Sequence, residues 1–333
     1  MAYETENHET QYCFPAINSS CIKGMRSRYE YNIMFVFFSL LSAWTVFLNL
    51  LVIISISHFK KLHTPTNLLI LSLAVADMLV GLIVMPIEAN RLIETCWFFG
   101  DTFCRLFLTM MGLLFSASLS NLVLVAVDRF VAVCHPLLYP QKITTTKTLI
   151  IVILCWFCSS VYNIAIVMSL SNKKYACYGE CTIMVTSDWT VLNLFLSFLI
   201  PCTIIITLYL RIFYVAHQQV KVINSLVKCG KHINEGSVKR KSERKAALTL
   251  GIIVTVYLVC WIPFVILSLT EKTGMASTTA YILLWFLYIN SGLNPLIYAF
   301  FYPWFKMSVK HILTLRIFQP ESSMMDIFTD CHS

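Results

Sequence analysis

The stretch from Thr148 to Leu170 reads TLIIVILCWFCSSVYNIAIVMSL and contains no charged residue. A helix needs roughly 20 apolar residues to cross a bilayer core about 30 Å thick. This stretch is therefore long and apolar enough to be a membrane-spanning helix. Six more stretches of this kind occur along the chain, so the sequence predicts seven spans. They cover about 33–57, 66–88, 102–127, 148–170, 189–213, 246–270 and 279–302.

The composition supports an integral membrane protein. Hydrophobic residues make up 58% of the 333 residues and charged residues 13%, against roughly 45–50% and about 25% in soluble domains. The alternation typical of a membrane barrel is absent. We therefore expect an all-α membrane protein, a seven-transmembrane helix bundle. Its predicted parts are an extracellular tail (1–32), the bundle (33–302) and a cytoplasmic segment (303–333) that begins with a short amphipathic eighth helix.

The basic residues predict the orientation. With the N-terminus extracellular and the C-terminus cytoplasmic, 17 of the 25 Lys and Arg residues fall on the cytoplasmic side, as the positive-inside rule requires. The run Lys239-Arg240-Lys241 lies between two spans, so it is expected to be a solvated juxtamembrane face and not a nucleic-acid or nuclear-import patch. We expect a multi-pass protein of the plasma membrane whose partners include membrane lipids and exclude nucleic acid.

Six of the 13 cysteines fall on the predicted extracellular side: Cys13, Cys21, Cys96, Cys104, Cys177 and Cys181. An even number in an oxidising compartment suggests up to three disulfides, with 15 possible connectivities. A zinc site at Cys177 and Cys181 is a weak alternative, because no histidine is near them in sequence. Asn18 begins a glycosylation sequon in the same region.

Polar residues inside the predicted spans are functional candidates, because they are costly in lipid. They are Asn49, Asp77, Ser118, Asn290, Ser291 and Asn294. Asp77 is the only acid near mid-membrane. Two interpretations are open and compatible: a hydrogen-bond network that joins the helices, or a set of hard oxygen ligands for a sodium ion.

Eight short motifs follow one another along the predicted spans. They are Asn49, Leu73-Ala74-Val75-Ala76-Asp77, Cys104, Asp128-Arg129-Phe130, Trp156, Pro201, Cys260-Trp261-Ile262-Pro263 and Asn294-Pro295-Leu296-Ile297-Tyr298. In this order they resemble the motifs of rhodopsin-like G-protein-coupled receptors. A narrower resemblance comes from 290–305, from Cys96-Trp97-Phe98-Phe99-Gly100 and from the N-terminal segment 18–23, which look like the signature of trace amine-associated receptors.

The resemblance implies a disulfide between Cys104 and Cys181. The N-terminal cysteines would then hold the tail across the mouth of a ligand pocket. We expect the pairs Cys13–Cys177 and Cys21–Cys96.

The resemblance also implies an activation switch at the cytoplasmic end of the third span. Arg129, beside Asp128, would pair with Glu243 in the resting state. Agonist binding would move the sixth span about a kink at Pro263, and Tyr209 and Tyr298 would turn inward to receive Arg129. The alternative is that these charges merely reach water at the membrane interface.

The ligand pocket departs from the pattern of this family. Amine receptors that it resembles carry an aspartate seven residues after the disulfide cysteine of the third span, where this chain has Met111. Some members, chiefly from fish, carry the acid in the fifth span, where this chain has Asn193. Two other acids, Glu88 and Asp188, could receive an ammonium group, although Arg91 could instead neutralise Glu88 three residues away.

An aromatic wall is expected around the ligand, because aromatic faces attract cations. By resemblance it consists of Trp261, Phe264, Trp285 and Tyr288; ordinary helix packing is the alternative.

We therefore expect a receptor for a small amine odorant that activates a stimulatory heterotrimeric G protein. A non-amine ligand is the second reading. A transporter or channel would predict repeats or a charged pore. An enzyme would need a catalytic constellation, and no cofactor besides sodium is expected.

Overall fold

The computed structural model describes residues 11–170, 177–181, 187–228, 235–270, 278–319 and 322–324. Within them, seven helices are long and apolar enough to cross a membrane, which confirms the predicted bundle. These spans are Arg28–His58, Pro65–Glu94, Gly100–Cys134, Thr145–Ser169, Val191–Gln219, Leu248–Leu267 and Leu283–Phe301.

The helices that contain the spans are often longer than the spans or are interrupted. The first helix is Arg28–His58, beginning five residues before the predicted span, because Ser27 and Glu30 form a capping box at its start. The others are Pro65–Leu79, Met85–Glu94, Gly100–Cys134, Tyr139–Lys142, Thr145–Leu170, Ser187–Leu194, Ile200–Lys228, Glu235–Thr270, Thr278–Phe301 and Pro303–Leu313. Short 3₁₀ turns cover Lys60–Leu62, Arg316–Phe318 and Ser322–Met324.

One π-helical turn interrupts the second span at Val80–Val84. The Met85 N–H donates to the Val80 carbonyl, so the Gly81 carbonyl would next need the N–H of Pro86, which proline lacks. The Ser42 hydroxyl of the first span donates to the Gly81 carbonyl instead, at 2.6 Å. A Cβ at Gly81 would lie 3.1 Å from Thr45, so glycine permits this approach. The turn changes which side chains of Met85–Glu94 face the bundle, and Glu88 is buried.

The fifth span contains the same arrangement. A π-helical turn at Phe195–Leu199 comes just before Pro201, and the Ile200 N–H donates to the Phe195 carbonyl. The proline follows the last residue of the π turn by two positions in both the second and the fifth span. In both helices the proline and the π turn together alter the course of the helix.

The third span is the centre of the bundle, packing against the second, fourth, fifth and sixth helices. The fourth span is connected to the second by the Trp156 indole N–H, which donates to the Ser72 hydroxyl at 3.0 Å. The seventh span approaches the first closely at Gly292, where a Cβ would lie 2.9 Å from the Trp44 ring. Beside it, the Asn49 amide donates to the Ser291 carbonyl at 3.0 Å. Glycine and polar groups therefore fix the helix contacts where lipid supplies no hydrophobic drive.

The amphipathic eighth helix is Pro303–Leu313, and it buries Trp304 and Phe305 against the bundle. It ends at Leu313. Leu315 adopts a left-handed conformation, with φ of 57°, which a continuing helix does not allow.

Three disulfides hold the end of the bundle that carries residues 11–27, called here the tail end. They join Cys104 to Cys181, Cys13 to Cys96 and Cys21 to Cys177, with Cα–Cα distances of 5.6, 5.7 and 5.0 Å. The first agrees with the resemblance. The expected pairs Cys13–Cys177 and Cys21–Cys96 are wrong.

Backbone pairing explains the correct partners. The Tyr178 N–H donates to the Ser19 carbonyl at 2.7 Å and the Cys21 N–H to the Tyr178 carbonyl at 2.9 Å, so Cys21 runs alongside Cys177. Between these segments Gly179 has φ of +100°, and a Cβ there would lie 3.0 Å from Phe14, so this position needs glycine. Sequence spacing contains no information about such pairing.

We predict that serine substitutions within one bridge act as a unit. C13S/C96S should reduce surface expression about as much as C13S alone, because each removes the same single bridge. C13S/C21S removes two bridges and should cost more, since each bridge contributes about 2–4 kcal/mol. Surface labelling measures expression, and non-reducing peptide mapping identifies the bridges directly. A Cys13–Cys177 peptide would contradict the structure.

Candidate functional site

A cavity of about 260 Å³ lies between the third, fourth, fifth and sixth spans. Its lining combines aromatic rings with neutral hydrogen-bonding groups. The lining residues are Gly112, Phe115, Ser116, Leu119, Tyr162, Asn163, Asn193, Leu194, Ser197, Phe198, Tyr257, Trp261, Phe264 and Val265. Three of the predicted ligand residues are among them: Asn193, Trp261 and Phe264.

The aromatic part of the cavity is organised around Trp261. Its ring makes an edge contact with Phe115 at 5.1 Å between centroids and stacks on Tyr257 at 5.4 Å and on Phe198 at 6.2 Å. Trp261 lies two residues before Pro263, which lies inside the sixth helix and cannot donate a backbone hydrogen bond. A ligand in the cavity would therefore contact a ring close to this proline.

The polar part of the cavity comes from the fourth and fifth spans. The Tyr162 hydroxyl donates to Asn193 Oδ1 at 2.7 Å. The Asn163 amide donates to the Ser159 carbonyl at 2.8 Å and to the Ser116 hydroxyl of the third span at 3.1 Å. A Cβ on Gly112 would lie 2.2 Å from Asn163 Oδ1, so only glycine leaves room for this amide.

Three other predicted pocket residues, Trp285, Tyr288 and Met111, do not line this cavity. Trp285 packs against Phe37 and Phe38 of the first span, at 5.1 and 5.6 Å between ring centroids. Tyr288 is fully buried, and Met111 packs against the cluster that contains Tyr288 and the Cys104–Cys181 bridge. Trp285 is thus separate from Trp261, whereas Tyr288 stacks on Phe115, a lining residue of the cavity, at 6.3 Å between ring centroids.

Of the two acids considered for an ammonium group, Glu88 is paired internally. The Arg91 Nε–H donates to Glu88 Oε2 at 3.0 Å, and Arg91 Nη2 forms an ion pair with the other carboxylate oxygen. Arg91 Nη1 also donates to the Cys181 carbonyl at 3.0 Å. The side chain of Asp188 lies outside the described residues.

Asp77 lies at the centre of a buried polar cluster. The Asn294 amide donates to its carboxylate at 2.7 Å, and Ser118 and Ser291 also interact with it. Three amide oxygens, those of Asn49, Asn290 and Asn294, are buried without a hydrogen-bond partner. Oxygen atoms that lack a donor fit a small hard cation beside this carboxylate.

At the opposite end of the third span, Arg129 and Asp128 form a buried pair. The Arg129 Nε–H donates to Asp128 Oδ2 at 2.9 Å. The Thr66 hydroxyl donates to the same oxygen at 2.8 Å, and the Tyr139 hydroxyl donates to Oδ1 at 2.9 Å. Burial and the Asp128 charge raise the pKa of Tyr139, so the phenol stays protonated and can donate.

The remaining switch residues are only partly described. Tyr209 and Tyr298 are buried, and their hydroxyls have no hydrogen-bond partner. Tyr209 interacts electrostatically with Arg129. The side chain of Glu243 lies outside the described residues, so the Arg129–Glu243 pair remains a prediction. Glycosylation of Asn18 also remains a prediction; its side chain is exposed.

Sequence reasoning missed Tyr162 and Asn163 in the cavity, and Thr66 and Tyr139 beside Arg129. A signal for the first two was available, because they are polar residues inside the charge-free stretch 148–170. A second, larger groove of about 660 Å³ lies between the first and second spans. None of the predicted ligand residues lines this groove, so the smaller cavity is the candidate ligand site.

Comparison with known proteins agrees with this architecture. The model of the family described as 7 transmembrane receptor (rhodopsin family) matches residues 48–298. Fold and family together define the chain as a rhodopsin-family receptor, a multi-pass G-protein-coupled receptor and not an enzyme. Receptors of this kind have a small-molecule ligand and a heterotrimeric G protein as partners.

The chain is also similar to individual receptors along almost its whole length. It is 42% identical to trace amine-associated receptor 13c of Danio rerio, over 97% of this chain and 98% of that protein. It is 40% identical to trace amine-associated receptor 9 of Rattus norvegicus, over 96% and 98%. Trace amine-associated receptor 8a of the same organism is 41% identical, over 96% and 97%. The chain belongs to the trace amine-associated receptor family.

We predict that Gly112→Ala disrupts the cavity. The new methyl group would overlap the Asn163 amide, displace it from Ser116 and cost about 1–3 kcal/mol of stability. Asn163→Ala should restore much of this loss in the double variant, because it removes the overlapping atoms. Thermal unfolding of the four purified proteins completes the cycle. Additive effects of the two substitutions would contradict the contact.

Proposed function

We propose that this receptor binds a small amine odorant in the cavity between the third and sixth spans and activates a stimulatory heterotrimeric G protein. The observation that carries the ligand proposal is the pairing of aromatic faces with amide groups in one cavity of about 260 Å³. Pockets for drug-sized ligands are roughly 300–1,000 Å³, so this volume suits a molecule of few heavy atoms. The relatives are trace amine-associated receptors, and their names support an amine.

An ammonium group can be held in this cavity without a carboxylate. The faces of Trp261 and Phe264 attract a cation through their ring quadrupoles. Asn193 Oδ1 accepts one hydrogen bond, from Tyr162, and retains capacity for a second. The amine would add its N–H to this oxygen while its alkyl part contacts the rings.

A neutral polar ligand is the second candidate. Among the described side chains that line the cavity there is no carboxylate. Binding an uncharged ligand between neutral amide groups therefore leaves no buried charge unpaired. The same experiment distinguishes the two ligand classes.

The proposed signal passes from Trp261 to Arg129. A ligand that displaces the Trp261 ring changes the packing beside Pro263, where the helix lacks a backbone hydrogen bond. Outward movement of the sixth span would open the Arg129 end of the bundle to the G protein. Arg129 would leave Asp128 and meet the unpartnered hydroxyls of Tyr209 and Tyr298.

We also propose that sodium binds beside Asp77 as an allosteric ion. Support comes from the Asn294 amide beside this carboxylate, and from the Asn49, Asn290 and Asn294 amide oxygens, which are buried without a donor. A cation there would stabilise the arrangement of the first, second and seventh spans, which supply these groups.

The ligand prediction is tested with a cAMP reporter in cells that express the receptor. Mono- and diamines should raise cAMP, whereas size-matched neutral odorants should not. Asn193→Leu should weaken the response to an active amine about tenfold, because it removes a hydrogen bond to a charged group. Leu192→Ala, on an exposed position of the same helix, is the matched control.

Asp188→Asn is measured in parallel, since it removes the other candidate acid. Loss of the amine response in Asp188→Asn but not in Asn193→Leu would move the ammonium to Asp188. Responses to neutral compounds alone would contradict the amine proposal. A receptor that is activated by amines without raising cAMP would contradict the proposal of a stimulatory G protein.

For sodium, the purified receptor should unfold at a higher temperature in sodium chloride than in N-methylglucamine chloride of equal ionic strength. A stabilisation of about 1 kcal/mol is expected when the ion concentration is several times its Kd. Asp77→Asn should remove the difference between the salts. An unchanged difference in this variant would exclude Asp77 as the ligand.

A further inference from the structure

Glu88 and Arg91 form an ion pair, and neither residue lines the proposed ligand cavity. Glu88 is 1% exposed, and it is the only buried carboxylate at the tail end among the described side chains. Burying a carboxylate is costly unless a cation and hydrogen bonds compensate it. The chain supplies that cation itself, three residues along the same helix.

The pairing is bidentate. Arg91 presents Nε to one carboxylate oxygen and Nη2 to the other. Its third nitrogen, Nη1, donates to the Cys181 carbonyl, next to the bridge to Cys104. The guanidinium group is therefore held at three points, between the second span and the disulfide-linked segment.

A second group points to a ligand-like site at this pair. Tyr288 of the seventh span is fully buried, its hydroxyl has no hydrogen-bond partner, and it interacts electrostatically with both Glu88 and Arg91. A carboxylate, a backbone carbonyl and a free phenol oxygen together are three acceptors for one cation. Met111 packs on the cluster that contains Tyr288 and Cys181.

We infer that Glu88, Tyr288 and the Cys181 carbonyl form an alkylammonium subsite whose resident cation is Arg91. Arg91 is thereby a specificity-determining residue, because a primary ammonium cannot reproduce its bidentate geometry and does not displace it. Small amines are denied the acid of the second span and must bind elsewhere in the receptor. This inference does not require the proposed ligand cavity.

The test removes the resident cation. Arg91→Gln removes the charge and leaves a shorter, uncharged side chain whose amide is still a hydrogen-bond donor. The matched control is Glu88→Gln/Arg91→Gln, which removes both charges. Each full-length receptor is purified, and unfolding is followed by labelling of the buried cysteines Cys202 and Cys260, with propylammonium chloride as the probe and sodium chloride at equal ionic strength as the reference.

Arg91→Gln should be destabilised and should regain stability with propylammonium. The apparent affinity of Arg91→Gln for propylammonium should exceed that of the double variant by about tenfold or more, which is the effect of a charge-assisted hydrogen bond. The wild type should resemble the double variant. Equal responses of Arg91→Gln and the double variant would overturn the inference, as would a wild-type response that is lost in Glu88→Gln alone.

If Arg91→Gln is not recovered from the membrane, Arg91→Lys replaces it. Lysine keeps the charge but offers a single ammonium to Glu88, so added propylammonium competes with it. A gain in apparent affinity over the wild type supports the inference, and no gain overturns it. Amine binding in the cavity between the third and sixth spans would raise the stability of all variants equally, so failure of the proposed function is distinguishable from failure here.

Discussion

The constraint behind this structure is that lipid offers no hydrogen bonds, so each polar group within the spans must be satisfied by the protein. The two proline-linked π turns follow this constraint. Each frees a backbone carbonyl, and in the second span the Ser42 hydroxyl satisfies it. Serine and glycine in the first and second spans are thus required together. The result is a helix segment, Met85–Glu94, rotated so that an acid enters the protein interior.

The same constraint acts on charge. The described side chains include three buried carboxylates, and each has a different partner. Asp128 has Arg129, with two hydroxyls completing the shell. Glu88 has Arg91. Asp77 has the Asn294 amide and two serine hydroxyls as partners, and no cation among the described side chains. Removal of one partner from a buried ion pair leaves an unpaired buried charge, which is costly.

The sequence predicted the seven spans and the amphipathic helix, because a helix in lipid needs a long apolar stretch, and such a stretch is visible in the local hydropathy. It also identified most of the polar residues inside the spans. It did not predict which distant residues contact one another. The pairing of Cys13 with Cys96 depends on how the tail crosses Tyr178, and the separation of Trp285 from Trp261 depends on helix rotation. Both are tertiary relations between distant segments. Likewise the π turns are not visible in the hydropathy of the second and fifth spans, although a proline marks each of them.

These constraints bear on how the ligand is recognised. Met111 packs on the cluster that contains Tyr288, and Glu88 is already paired with Arg91. The Tyr288 hydroxyl has no hydrogen-bond partner. The polar groups that remain accessible to a guest are those of the fourth and fifth spans, above all Asn193 and Asn163. In the proposed cavity, a guest would therefore be selected by neutral hydrogen bonds and ring faces.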